Sequence, residues 1–64
     1  MQILIEPENE VVILTRAGNV DNLLRQLGLK PGEALVIRGS ELLTPDRKVE
    51  PEDEIIIRKI VSRG

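Results

Sequence analysis

The spacing of hydrophobic residues changes along the chain, and each change predicts a different secondary-structure element. Residues 1–5 alternate between two faces, which predicts a first strand. Residues 6–9 contain Pro7 and Asn9 and predict a hairpin turn. Residues 10–15 are apolar on both faces and predict a second strand. We expect it to run antiparallel to the first, because the connection between them is short.

A helical period follows this hairpin. One apolar stripe at i, i+3, i+4 and i+7 is formed by Val20, Leu23, Leu24 and Leu27. Asn19 stands at the predicted N-cap, and Asp21 places a negative charge in the first turn, where the helix dipole favours it. Gly28 is predicted at the C′ position and Pro31 follows it, so the end of the helix is well marked. A helix this short is unstable alone in water and must pack on a sheet.

The second half of the chain predicts further strands. Residues 34–38 are apolar enough for a central strand, and residues 41–44 predict a short strand at an edge. Val49 is a single apolar anchor between two polar loops. The last strand begins at Glu54 and includes the β-branched run 55–57, which favours the pleated conformation.

This order of elements predicts an α+β protein with a β-grasp fold. Its sheet would be mixed, with four to five strands, and one helix would lie across one face. The alternative is another small α+β roll with the same layers and a different strand order. We predict one domain over residues 1–64, in which residues 61–64 form an extended C-terminal tail because nothing after Ser62 could hold the chain on a core.

The composition excludes several classes of chemistry. The 64 residues include no cysteine, no histidine and no aromatic residue, so disulfides, thiolate zinc ligation and a histidine general base are all excluded. A core must come from Ile, Leu and Val, and 41% hydrophobic residues is enough for it. The net charge of −2 and the missing aromatics argue against nucleic-acid binding. No apolar stretch approaches membrane-spanning length, and we predict a cytoplasmic protein.

No motif predicts an enzyme site, a metal site or a resident cofactor. The acidic residues Glu50, Glu52, Asp53 and Glu54 lack the spacing and the central glycine of a calcium loop, and a solvated turn is the favoured interpretation. No glycine-rich phosphate loop is present, and no histidine is available to activate a serine or threonine. The chain is therefore not expected to be an enzyme.

The sheet carries more apolar residues than one helix can cover. One set of residues must point away from the helix. It contains Leu4, Ile56 or its neighbours, and either Val11 with Ile13 or Val12 with Leu14. We select Leu4, Ile13, Ile56 and Ile60 as the candidate partner-binding face. Scattered exposed aliphatic residues without a function are the alternative.

At this point the sequence resembles the ThiS/MoaD family of ubiquitin-like β-grasp sulfur carrier proteins. Residues 19–29, NVDNLLRQLGL, resemble the family's T-V-x-E-L-L-x-x-L-G-L. The loop at 39–42 resembles its N-G-E-x loop, the turn at 52–55 its G-D-E-V turn, and the ending VSRG at 61–64 its V-S-G-G ending. The similarity covers nearly the whole chain in order and spacing.

The resemblance implies a protein that acts through its C-terminal carboxylate. An E1-like adenylyltransferase would use ATP to activate Gly64 as an acyl-adenylate, and sulfur transfer would give a thiocarboxylate. Val61, Ser62 and Arg63 would lie extended in the partner enzyme, which the outer sheet face would contact. Glycine suits the terminal position because a residue without a Cβ enters a narrow channel easily. Further partners would be a sulfurtransferase or a biosynthetic synthase for thiamin, molybdopterin or tRNA sulfur transfer.

The chain departs from the family at two positions. Arg63 replaces the penultimate glycine, so either the partner has a pocket for the guanidinium or the protein no longer serves as a carrier. Asn22 replaces the usual glutamate, which removes the carboxylate of a capping box and is expected to cost some helix stability. Two other functions stay open: a ubiquitin-like modifier conjugated through its C-terminus, and a non-catalytic β-grasp interaction module.

Overall fold

The structure of the protein is a computed structural model, and it describes residues 1–60. These residues form a five-stranded sheet, one α-helix and one short 3-10 helix. The elements in chain order are β1 (Gln2–Glu6), β2 (Glu10–Ile13), α1 (Val20–Gln26), the 3-10 helix Pro31–Glu33, β3 (Ala34–Arg38), β4 (Glu41–Leu43) and β5 (Glu54–Lys59). All predicted elements are present, and their observed ends differ from the predicted ones by one or two residues where they differ.

The strands are arranged in the order β2-β1-β5-β3-β4. β1 and β2 form the predicted antiparallel hairpin, β3 pairs antiparallel with β4 and β5, and β1 and β5 are parallel. The sheet is therefore mixed, and the predicted β-grasp fold is confirmed. β4 is the edge strand that the sequence predicted, and the last strand of the chain lies at the centre of the sheet.

β5 occupies the centre because its alternate residues are long, β-branched and apolar. Ile55 and Ile57 are fully buried beneath the helix, and Ile57 lies between its pairing partners Ile5 and Val36. The charged residues at 58 and 59 interrupt the apolar run in the sequence, yet both belong to the strand. The backbone ladder, and not the continuity of the apolar run, decides where this strand ends.

Both ends of α1 carry the predicted caps. The Asn19 side chain accepts a hydrogen bond of 2.8 Å from the backbone N–H of Asn22, which confirms the N-cap. Gly28 has a φ of +74°, and its N–H and that of Leu29 donate to Arg25 and Leu24 carbonyls at 3.1 and 2.8 Å. This pair of bonds is a Schellman motif, in which a residue without a Cβ is strongly favoured.

Asn22 has a different role from the glutamate of a capping box. Its side-chain Nδ2 donates to the carbonyl oxygen of Ala17 at 2.6 Å. This bond fastens the first turn of α1 to the loop that precedes it, and it offsets part of the loss expected from the missing carboxylate.

The core lies between α1 and the inner face of the sheet, and aliphatic side chains fill it. Its buried members are Ile3, Ile5, Ala17, Val20, Leu23, Leu24, Ala34, Val36, Leu43, Val49, Ile55 and Ile57. Leu27, the last position of the predicted helical stripe, is partly buried against them. Val49 is the anchor that the sequence predicted between the two polar loops. Within residues 1–60, no helix is long and apolar enough to cross a membrane.

Replacing Ile57 with alanine tests the central position of β5. We expect a loss of about 2–5 kcal/mol in the free energy of unfolding, because the cavity opens where three strands and the helix meet. Ile13→Ala is the control, since that side chain is 70% exposed and should change stability by about 0.5 kcal/mol or less. Urea denaturation followed by far-UV circular dichroism measures the stability of both variants. Equal losses of stability would contradict the central, buried position of Ile57 in β5.

Candidate functional site

The register of the β1–β2 hairpin decides which apolar residues face away from the helix. Val12 pairs with Ile3, which is fully buried, so Val12 faces the helix side. Val11 pairs with Leu4 and Ile13 pairs with Gln2 on the opposite face. Of the two sets left open by the sequence, Val11 with Ile13 is therefore the one on the outer face.

An unbroken apolar row crosses this outer face. Each member is the direct pairing partner of the next, and together they connect all five strands: Val11, Leu4, Ile56, Ile37 and Leu42. We call these five residues the outer row. Its two ends are well exposed, with Val11 at 55% and Leu42 at 58%, while the three members on the inner strands are half-buried by their neighbours. The helix lies on the opposite face, so the exposed part of this row is accessible to a partner.

The predicted face residues all lie on this side of the sheet. Leu4 and Ile56 belong to the outer row, and Ile13 is in the neighbouring row on β2. Ile60 follows β5 directly, is 51% exposed, and donates its N–H to the carbonyl of Glu33 at 2.9 Å. This bond continues the antiparallel ladder by one step, so alternation places Ile60 on the same face as Ile56.

Two members of the outer row, Ile37 and Leu42, were not among the predicted face residues. Alternation within residues 34–38 is the signal that could have found Ile37, because Val36 points into the core. Leu42 is adjacent to buried Leu43 in a strand of three residues, which is too short for a period to be recognised.

Two ion pairs flank the end of β5. Arg58 Nε lies 3.1 Å from Glu6 Oε1, and Lys59 Nζ lies 3.1 Å from Glu8 Oε1. A hydrogen bond from its own backbone N–H, together with Lys59, lowers the pKa of the Glu8 carboxyl. Exposed pairs of this kind contribute little stability, but these two connect the end of β1 and the β1–β2 turn to the last residues of β5.

An open cavity of about 390 Å³ lies beside these ion pairs. It is lined by Glu6, Pro7, Asn9, Arg58 and Lys59. Its walls therefore come from the β1–β2 turn and from the final residues of β5, at the place where the chain leaves the sheet. The cavity makes this corner of the sheet concave and charged.

The acidic segment before β5 has a structural role. Asp53 Oδ2 accepts the backbone N–H of Glu50 at 2.8 Å and lies 3.0 Å from Arg38 Nη1. The Glu50 N–H, and after it Arg38, lowers the pKa of the Asp53 carboxyl. Arg38 also donates to the Lys48 carbonyl at 3.2 Å, so one guanidinium connects β3 to both ends of this loop. Among residues 1–60, no group of acidic side chains is arranged to hold a metal ion.

The predicted attachment site and tail lie outside the described residues. These are Gly64 and its neighbours Val61, Ser62 and Arg63, together with the extended conformation predicted for residues 61–64. What the structure does provide is the position from which they continue, directly after the central strand.

The described residues thus define a β-grasp protein with one face covered by a helix and an apolar row across the other. A scan against protein-family models finds no match for the chain. The curated sulfur carrier protein TtuB of Thermus thermophilus is 32% identical over 62 residues, which cover 97% of this chain and 95% of that protein. The chain belongs to the ThiS/MoaD family of ubiquitin-like sulfur carrier proteins, as its helix, turn and terminal motifs predicted.

Asp53→Asn tests the role of the acidic turn. The lowered pKa of Asp53 means that its stabilising effect is complete above the ordinary value of 3.8 and is lost as the pH falls through the folded-state value. We expect the variant to be about 1 kcal/mol less stable than the wild type at pH 7, and the difference to vanish in acid. Denaturant unfolding of both proteins at several pH values, from neutral to strongly acidic, measures this difference in the free energy of unfolding.

Glu52→Gln is the matched control, because it removes a neighbouring acid that makes no ion pair within residues 1–60. Its stability should stay within about 0.5 kcal/mol of the wild type. If Asp53→Asn is also as stable as the wild type at pH 7, the Asp53 carboxylate does not stabilise the turn.

Proposed function

We propose that the protein is a sulfur carrier whose Gly64 carboxylate is activated by an E1-like adenylyltransferase and converted to a thiocarboxylate. The observation that carries this proposal is the full-length similarity to a sulfur carrier protein. It is supported by the ending VSRG, which follows the central strand without an intervening turn-forming segment. The protein would work in the cytoplasm, together with its activating enzyme.

The chemistry requires little of this chain beyond its terminal acid. A carboxylate oxygen of Gly64 attacks the α-phosphorus of ATP, and pyrophosphate leaves with the electron pair of the broken P–O bond. Hydrosulfide from a sulfide donor then adds to the acyl carbon and displaces AMP, which yields the thiocarboxylate. ATP and the groups that bind it belong to the partner enzyme. The carrier itself needs no cofactor for either step.

The fold suits the presentation of a terminal acid. β5 is held on both sides, by β1 and β3, and the last described bond of the ladder is at Ile60. Only four residues then separate this anchored position from the carboxylate of Gly64. Four extended residues span at most about 14 Å, which is enough to enter a partner's active site while the sheet stays outside.

The outer row is the surface that we propose for docking on the activating enzyme. It is apolar and lies on the face that Ile60 shares, so a partner that covers it is on the same side as the start of the tail. Burial of aliphatic side chains supplies affinity, and the exposed ion pairs at the end of β5 supply orientation. The sulfur would pass from the thiocarboxylate to a thiamin-type or molybdopterin-type precursor, or to a tRNA, on a synthase or sulfurtransferase.

Intact mass spectrometry tests the activation. Incubation of the full-length protein with a cognate E1-like adenylyltransferase, ATP and a sulfide donor should replace one terminal oxygen by sulfur. A variant that lacks Gly64 should keep its mass, and so should the wild type without ATP. An unchanged mass of the wild type with every candidate enzyme would reject the proposal. If only Arg63→Gly is converted, Arg63 blocks the channel and the natural protein has another role.

Leu4→Ser tests the outer row as the docking surface. We expect the KM for the carrier in the activation reaction to rise about tenfold or more with little change in kcat, because the variant weakens association and leaves the tail intact. Arg25→Ala, on the exposed side of α1, is the control and should leave both constants unchanged. A normal KM for folded Leu4→Ser would remove the outer row from the interface.

A further inference from the structure

The two edges of the sheet differ in how well they are protected from pairing with another strand. β4 has three residues, Pro45 follows it closely, and Glu41 at its start lies 3.7 Å from Arg38 and 3.2 Å from Arg47. Short length, proline and charge are the usual means by which an edge strand is blocked. β2 and the residue after it read Glu10-Val11-Val12-Ile13-Leu14 and contain no proline and no cation.

The hydrogen-bond register identifies the backbone groups that β2 leaves open. Leu14 donates its N–H to the carbonyl of Met1 at 3.0 Å and accepts from the Met1 ammonium at 2.9 Å. Bonded and non-bonded pairs alternate in an antiparallel ladder, so Val12 also bonds toward β1. The N–H and C=O groups of Val11 and Ile13 therefore point away from the sheet, along its free edge.

The same two residues carry exposed side chains on the outer face. Val11 is 55% exposed and Ile13 is 70% exposed, which makes Ile13 the most exposed large apolar residue among those described. The edge therefore combines two open donors, two open acceptors and apolar side chains within four residues. This combination is the template for strand addition.

We propose that two copies of the chain associate through this edge, β2 against β2, in an antiparallel two-fold arrangement. The register places Val11 opposite Ile13 of the second copy, and Val12 lies on the two-fold axis. Each Val11–Ile13 pair exchanges two backbone hydrogen bonds, so the arrangement satisfies all four open groups of each copy. The side chains of both pairs lie on the outer face, so the outer row of each copy continues from Val11 to Ile13 of the other copy.

The charges at the ends of β2 are complementary in this arrangement. Glu8 and Glu10 lie at the start of the strand and Arg16 lies beyond its end. Antiparallel pairing brings the acidic end of each copy beside Arg16 of the other, twice per dimer. Neither Glu10 nor Arg16 forms an ion pair within the described part of the chain. A parallel arrangement would place like charges together.

The association is weak and reversible. Strands of about five residues bury far less than the roughly 1,600 Å² of a standard stable interface, so we expect a dissociation constant of about 0.1–1 mM. This dimer does not depend on the proposed sulfur-carrier function, and it leaves the end of β5 accessible.

Two measurements on the full-length protein test the dimer. Sedimentation equilibrium from about 0.05 to 2 mM should show the mean mass rising toward that of a dimer. Over the same range, NMR-detected hydrogen exchange should slow at the Val11 and Ile13 amides, while the Val12 amide, bonded to β1, serves as the internal reference. Face-to-face packing of outer rows would raise the mass without protecting these two amides.

Ile13→Lys should raise the dissociation constant at least tenfold, because it removes an apolar contact from each half of the interface and adds like charges. Leu42→Lys, on the opposite edge of the sheet, is the matched control and should leave the dissociation constant of the dimer unchanged. A protein that stays monomeric throughout the concentration range overturns the proposal. So does association that leaves the Val11 and Ile13 amides unprotected, or that Ile13→Lys does not weaken.

Discussion

The rest of the structure depends on the burial of β5 between β1, from the start of the chain, and β3, from its middle. β1 pairs with it in parallel and β3 pairs with it antiparallel, so Ile57 lies between Ile5 and Val36 under the helix. These contacts join residues far apart in sequence, and the loop-closure entropy they cost is offset by the aliphatic area that the helix and sheet remove from water. A 64-residue chain without aromatic residues or disulfides has few other sources of stability.

The central position of β5 has a consequence for both faces of the sheet. Its alternate residues point to opposite sides, so the strand contributes Ile55 and Ile57 to the core and Ile56 to the outer row. Because the five strands are paired in register, Ile56 lies in a row of apolar side chains that crosses the whole sheet. One physical constraint, alternation in a central strand, thus produces both the core and the apolar row that we propose as the docking surface.

The same constraint relates the end of the fold to the proposed chemistry. The chain leaves the sheet from its central strand, and ion pairs to Glu6 and Glu8 connect the end of that strand to β1 and to the β1–β2 turn. A rigid exit limits the conformations open to a following tail, which reduces the entropy lost when the tail enters an enzyme. Under the proposed function, this arrangement would help to present the terminal carboxylate to the activating enzyme.

The sequence by itself determined the elements, their order and most of their ends, because the periods of Val20–Leu23–Leu24–Leu27 and of the strands, together with caps such as Asn19 and Gly28, are local signals. It also indicated the family, since short motifs keep their spacing. Only the tertiary structure decided that β5 is central, that Val11 and Ile13 face outward, and that Ile37 and Leu42 complete the outer row. Alternation within residues 34–38 indicates only the face of Ile37. Which residues lie beside one another across the sheet depends on register and strand order, which are set by contacts between distant residues.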